Sequence, residues 1–214
     1  NKRKSIERIA CMLYASSAIG LLDSSDLLSF FIFFELLTVG AVLSLIERDY
    51  KASLYYLLFH AVSGLCMLLG VIFHYTSYNN LNLSTQNINS LSGIFIFLAL
   101  GINVGFPLLS SWITETYYKA SSGGILFMSA LTTKATIYAF LIFFPALSIL
   151  IPIGLLMSVV PLFYAFFETD VRKMLAYSLI NPLGFMLVSI GVGSSTGILA
   201  AKAHVLSHIS YKSL

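Results

Sequence analysis

The sequence predicts an all-α, polytopic membrane helix bundle of about eight transmembrane helices. Of its 214 residues, 58% are hydrophobic and only 10% charged, where a soluble domain carries roughly 25% charged residues to cover its surface. The apolar residues also come in continuous runs about as long as a bilayer crossing, not in the alternating pattern of barrel strands. The distribution of basic residues supplies a third observation, independent of hydropathy.

A crossing needs about 20 apolar residues, and on that measure the segments follow in order. Ile9 to Leu22 is short and closed by Asp23 and Asp26; Leu27 to Ile46 ends at Glu47-Arg48-Asp49; Ala52 to Tyr75 leads into an Asn/Ser-rich loop, Thr76 to Ser90. Leu91 to Trp112 contains Gly101, Asn103, Gly105 and Pro107. Because Pro removes a donor and breaks the ladder about four residues earlier, this helix is expected to be interrupted near Pro107. A polar stretch, Thr114 to Gly124, precedes Ile125 to Phe144, and Pro145 marks a turn. Leu147 to Phe167, Met174 to Gly193 and a last segment from near Ile198 to Leu214 complete the series.

Lys and Arg accumulate on the cytoplasmic side of membrane proteins. Lys2, Arg3, Lys4 and Arg8 precede the first segment; Arg48 and Lys51 follow the second, Lys119 the fourth, Arg172 and Lys173 the sixth. The loops after the first, third, fifth and seventh segments have none. This one-sided pattern predicts eight crossings with a cytoplasmic start. The chain lacks an initiator Met and stops within an apolar stretch, so an internal piece of a longer protein is expected, and the basic start is not a signal peptide.

Several classes drop out. The net charge is only +3 and basic residues do not interleave with aromatics, against a nucleic-acid partner. Cys11 and Cys66 fit neither a disulfide framework nor a zinc site and are expected to be small core residues. Gly191 to Gly197 has the wrong spacing for a phosphate-cradling loop and is read as a turn. No cofactor or metal site is expected.

Function is read from charges placed where lipid disfavours them. An ionisable group at the bilayer centre costs about 2.5 to 3.5 kcal/mol on the lenient insertion scale. Glu35 lies roughly 12 Å from either interface at the helical rise, too deep for a carboxylate to reach headgroups; the alternative to a proton or cation site is a protonated structural Glu. Lys134, mid-segment, cannot snorkel out, and a buried amine gives up its proton readily. Lys134 is the natural partner for Glu35. His204, His208 and Lys212 fall at i, i+4 and i+8 on one helical face, a polar wire with side chains able to relay protons near neutrality. Interhelical glue is the alternative, and a zinc site lacks a third ligand. Asn103 lies at the expected helix break, where transporters place ion sites. His60 is equally readable as a relay or an interhelical hydrogen-bonder.

The run Gly105-Phe-Pro-Leu-Leu-Ser-Ser-Trp112-Ile-Thr-Glu-Thr-Tyr, followed by Leu131-Thr-Thr-Lys134-Ala-Thr-Ile-Tyr138, resembles the core of the proton-translocating antiporter superfamily. That superfamily includes the large membrane subunits of Mrp-type cation/proton antiporters and the antiporter-like subunits of NADH:quinone oxidoreductase, complex I. Phe33-Phe-Glu35-Leu, Arg172-Lys-Met-Leu-Ala-Tyr-Ser178 and His204-Val-Leu-Ser-His208-Ile-Ser-Tyr-Lys212 extend the resemblance. It implies a larger inverted-repeat fold, with a first five-helix repeat over about 1–145 and the start of a second over about 146–214. Glu35 would be the carboxylate that pairs with a broken-helix lysine, Lys134 the central relay, and His204, His208 and Lys212 the connecting axis. The sequence departs from the family in carrying Asn103 where that lysine usually stands and Ser110 where a His usually precedes the Trp. The resemblance is nearest to the D-type branch of the Mrp antiporters and implies a bacterial plasma-membrane location, partner membrane subunits, protons, and Na⁺ or K⁺. Membership of complex I is the second reading, and a structural or degenerate membrane protein without an ion path the third.

Overall fold

A computed structural model of the chain describes residues 2–212. Asn1, Ser213, Leu214 and the side chains of Lys2, Arg3, Lys4 and Ser122 lie outside the described residues, and with them the expected end of the last segment at Leu214. The chain is all-α. The helices are α1 (Lys2–Leu22), α2 (Leu27–Ile46), α3 (Tyr50–Tyr78), α4 (Leu91–Val104), α5 (Ser111–Thr116), α6 (Ser122–Phe127), α7 (Thr133–Phe143), α8 (Leu150–Phe167), α9 (Val171–Val192) and α10 (Ser195–Lys212). A 3₁₀ turn (Tyr117–Lys119) joins α5 to α6, and a π-helical turn (Met128–Thr132) joins α6 to α7.

The eight segments map onto these helices, with α4–α5 and α6–α7 each forming one interrupted unit. Six helical stretches among the described residues are long and apolar enough to cross a membrane. The other two segments fall short for visible reasons. The break cuts α4 to 14 residues, and α10 carries Lys202, His204, His208 and Lys212. α1 begins earlier than expected because Lys, Arg and Glu are good helix formers and continue the helix beyond its apolar part. Cys11 and Cys66 are half-buried free thiols; Cys66 packs against the edge of the core, and Cys11 is not part of it.

Helix starts are set by local capping. Asp26 accepts from the Leu28 and Ser29 amides at 3.0 and 2.9 Å, Asp49 from Ala52 at 2.9 Å, and Asp170 from Arg172 at 2.8 Å. Each satisfies donors that a helix leaves unpaired and places a negative charge at the positive end of the helix dipole.

The loops gather at two ends. At one, Lys119 pairs with Asp49 at 3.4 Å, Lys173 with Glu115 at 3.0 Å, and Ser121 donates to Glu7. At the other, the Leu27 amide donates to Leu81, Gln86 to Phe143 and Ala146 to Ile190, at 2.7, 2.7 and 3.2 Å. These are the two alternating sets of loops that the basic residues distinguish.

Between lipid-facing helices, close packing replaces the hydrophobic drive available in water. α8 and α9 approach so closely that a Cβ on Gly184 would lie 2.4 Å from the Gly154 carbonyl oxygen. The rings of Phe30, Phe97, Phe140 and Phe143 interlock α2, α4 and α7, with Phe30 and Phe143 edge-to-face at 5.2 Å. Phe166 and Phe167, 84% and 79% exposed, stand on the outside of α8, as lipid contact requires.

Candidate functional site

The interruption in α4 is built by glycine. Gly105 adopts φ +78, a left-handed conformation that costs a side chain energy but costs glycine little. Its amide returns to the Ile102 carbonyl at 3.2 Å, and the Phe106 amide to Gly101 at 2.9 Å. Trp112, at the start of α5, donates its indole N–H to the Ile102 carbonyl at 2.8 Å. The break therefore keeps its Gly101 and Ile102 carbonyls satisfied by protein, as irregular backbone in lipid requires.

Asn103 lies in the last turn before this break, buried, with its amide donating to Ser63 Oγ and, at 3.1 Å, to the Ala99 carbonyl. His60, one turn before Ser63 on α3, is 1% exposed. Its ring stacks on Tyr56 at 3.9 Å and meets Trp112 edge-on at 4.6 Å, and its Nε2 has no hydrogen-bond partner among the described residues. Asn103 flanks it.

Glu35 is half-buried on α2. Its carboxylate rests against α3, where a Cβ on Gly64 would lie 2.6 Å from Oε1. The expected pairing with Lys134 is corrected: among the described residues neither side chain enters an ion pair. Counting residues yields the depth of both side chains but not their rotation about their helices, and α2 directs Glu35 toward α3.

Lys134 is 6% exposed in the first turn of α7. Its Nζ donates to the Ser129 carbonyl at 2.6 Å and to Thr133 Oγ1 at 3.2 Å. The preceding π turn makes this possible, since widening the ladder releases carbonyls from α-helical pairing. Side chains take them up: Tyr117 donates to Met128 at 3.1 Å and Thr136 to Thr132 at 3.0 Å.

The α10 row does converge on Lys134. His208 is fully buried, with both ring nitrogens unpartnered among the described residues, and lies within electrostatic reach of Lys134, Lys212 and His204. The His204 and His208 rings lie 6.5 Å apart, and Lys212 donates to Ser178 Oγ on α9 at 2.7 Å.

Two cavities flank this cluster. One, of about 450 Å³ between α1, α7 and α10, is lined mostly by aliphatic side chains, with Lys134, Lys202 and Tyr138 its polar members, and reaches Leu22 at the end of α1. The second, of about 330 Å³, is lined by Ser129, Lys212, Tyr118 and Arg172, toward the basic end. The Lys134–Ser129 hydrogen bond stands between them. Sequence reasoning missed the π turn and the three buried tyrosines Tyr14, Tyr56 and Tyr117 around it; long apolar runs hide both, because tyrosine reads as an apolar or interfacial residue.

A bundle of membrane-length helices with one broken helix, one π-interrupted helix and a buried amine and buried imidazoles in its interior defines a polytopic membrane protein with ionisable groups in its core. The chain belongs to the NADH:quinone oxidoreductase/Mrp antiporter transmembrane family, whose model matches residues 24–214. It is an integral multi-pass membrane protein, antiporter-like in family. It is 25% identical to NADH-quinone oxidoreductase subunit M of Escherichia coli K12 over 92% of this chain and 45% of that protein. The fold superposes with a TM-score of 0.85 on a chain of the Mrp complex from Dietzia sp. DQ12-45-1b (19% identity, covering 99% of this chain and 47% of the other). The same score relates it to a chain of the membrane-bound sulfane sulfur reductase, an archaeal respiratory membrane complex (23% identity, 94% and 46%). The chain thus spans less than half the length of each of these proteins.

Proposed function

We propose that this chain is part of the proton-conducting membrane subunit of a multisubunit monovalent cation/proton antiporter, of the D-type Mrp branch. Lys134 is the central relay, His204, His208 and Lys212 carry protons along the bundle, and Glu35, His60 and Asn103 serve the half that contains the broken helix. Residues 1–145 make up a first five-helix repeat and 146–214 open an inverted second one. The basic end faces the cytoplasm of a bacterial cell. Partner membrane subunits complete the machine, and Na⁺ or K⁺ is the counter-ion.

One observation carries this reading: the Lys134 amine and the Ser129 carbonyl that holds it stand between two cavities that extend toward opposite ends of the bundle. A titrating amine at such a partition exchanges protons with either side without opening both. The lack of a carboxylate partner among the described residues favours that role, since a salt bridge would hold the amine charged.

In proteoliposomes of the complete complex, Lys134→Ala abolishes cation-dependent proton flux while assembly is retained; unaltered flux overturns the relay. Membership of complex I, driven by redox partners, is the second reading, favoured by the identity to Escherichia coli subunit M. Co-purification separates the two: small antiporter subunits support the first, redox proteins the second.

A further inference from the structure

The cavity of about 330 Å³ toward the basic end lies between the 3₁₀ turn, α6, α9 and α10, at the lower end of the size range of small-ligand sites. Two cations line it. Arg172 comes from the first turn of α9 and Lys212 from the last turn of α10. Tyr118 and Tyr211 contribute rings that carry hydroxyls, and Leu175 and Leu179 form an apolar wall.

No carboxylate is among the residues that line this cavity. The acids of the basic end are committed elsewhere: Glu115 and Glu168 to Lys173 at 3.0 and 3.6 Å, and Asp49 to Lys119 at 3.4 Å. Asp170 accepts from the Arg172 and Lys173 amides at 2.8 and 3.4 Å, as a helix cap. Among the described residues Arg172 and Lys212 thus enter no ion pair, and the half-buried Lys212 donates to a neutral oxygen, Ser178 Oγ, at 2.7 Å. Two positive charges beside apolar surface, with no counter-charge, favour an anion between them.

The lining also selects the kind of anion. A guanidinium fork matches the oxygens of a phosphate, and an ammonium adds a point charge. Leu175 and Leu179 follow Arg172 at one and two helical turns further from the basic end, and Leu175 is 50% exposed. An anion that carries an acyl chain can therefore lay the chain against them, whereas a soluble anion leaves that wall unused. Tyrosines suit such a boundary, with an apolar ring and a polar tip, and basic pockets between membrane helices are known to hold lipid headgroups.

We propose that this cavity binds the phosphate headgroup of an anionic membrane lipid, with Arg172 and Lys212 on the phosphate and Leu175 and Leu179 against the start of a chain. The inference goes beyond the proposed function and does not rest on it. It needs a lipid leaflet at the basic end, not a titrating Lys134.

The test is thermal unfolding of the complete complex in detergent with added phosphatidylglycerol or phosphatidylcholine, together with native mass spectrometry of the lipid retained. A ligand that binds the folded state raises the midpoint. Phosphatidylglycerol raises it by about 2 °C or more and stays bound, and phosphatidylcholine does neither. Arg172 is exposed and enters no ion pair among the described residues, so Arg172→Gln folds normally but loses both the rise and the bound lipid. Lys51→Gln removes an equal charge from the same end and keeps both. The same rise in Arg172→Gln as in the wild type overturns the site, as does its loss in Lys51→Gln, which would mark a general attraction to the basic end. A rise produced equally by excess inorganic phosphate, with no lipid retained, overturns the lipid as occupant.

Discussion

Lys134 and Ser129 are joined end to end across the π turn, the lysine ammonium donating to a carbonyl five residues earlier at 2.6 Å. A carbonyl dipole stabilises the charged amine enough to hold it in place without fixing its charge, as a carboxylate would. The π turn thus anchors Lys134 without a counter-ion, and Glu35 packs on α3 instead.

Glu35 and Gly64 make the first prediction. A methyl on Gly64 would meet the end of the Glu35 side chain at 2.6 Å, and that end can swing aside. Gly64→Ala therefore changes stability by less than about 1 kcal/mol yet displaces the carboxylate. Its flux is impaired as in Glu35→Gln, and the double variant is no worse than either alone. Gly64→Ala with a wild-type rate beside an impaired Glu35→Gln would show that the carboxylate does not act from this position.

Trp112 closes the helix break. Trp112→Phe keeps most of the ring but removes the 2.8 Å indole donor and leaves the Ile102 carbonyl only its longer bond from the Gly105 amide, at a cost of about 0.5 to 1.5 kcal/mol. Thermal unfolding of the complex in detergent reads this as a lowered midpoint; an unchanged midpoint would mean that the carbonyl finds another donor.

Acid sensitivity is expected at the basic end. The Ala52 amide, and after it Lys119, hold the Asp49 carboxyl below its ordinary value. A group with a depressed folded pKa contributes stability that is complete above the unfolded value and is lost as pH falls through the folded one. The loss therefore sets in below about pH 4, the ordinary carboxylate value. Asp49→Asn keeps a capping oxygen but no charge, so its thermal midpoint declines less steeply on acidification than the wild type. Parallel declines would mean that Asp49 is not a source of the acid sensitivity.

The helices were legible because lipid imposes a length on them, and the α4 interruption because Gly105 and Pro107 announce it. The α2 boundaries, Leu27 and Ile46, are those read from apolar length and flanking charge. The depth of Glu35 and Lys134 could be read by counting residues, and the shared face of His204, His208 and Lys212 from their spacing, but which of them meet could not. Rotation about a helix axis depends on packing, and the π turn resets the rotation of everything after Met128 by a single inserted residue. Nothing in Met128-Ser-Ala-Leu-Thr132 marks that insertion. The cluster of Tyr14, Tyr56 and Tyr117 was equally hidden, since it forms only where α1, α3 and the π turn meet.

Proton flux through Lys134→Arg in the reconstituted complex bears most directly on whether this amine titrates. Arginine keeps the positive charge and can still donate toward the Ser129 carbonyl, but it does not release its proton in proteins. If Lys134 works by changing its charge, flux falls to the level of Lys134→Ala while assembly and thermal midpoint stay close to wild type. Flux at the wild-type rate in Lys134→Arg would contradict a titrating relay and leave Lys134 as a fixed charge.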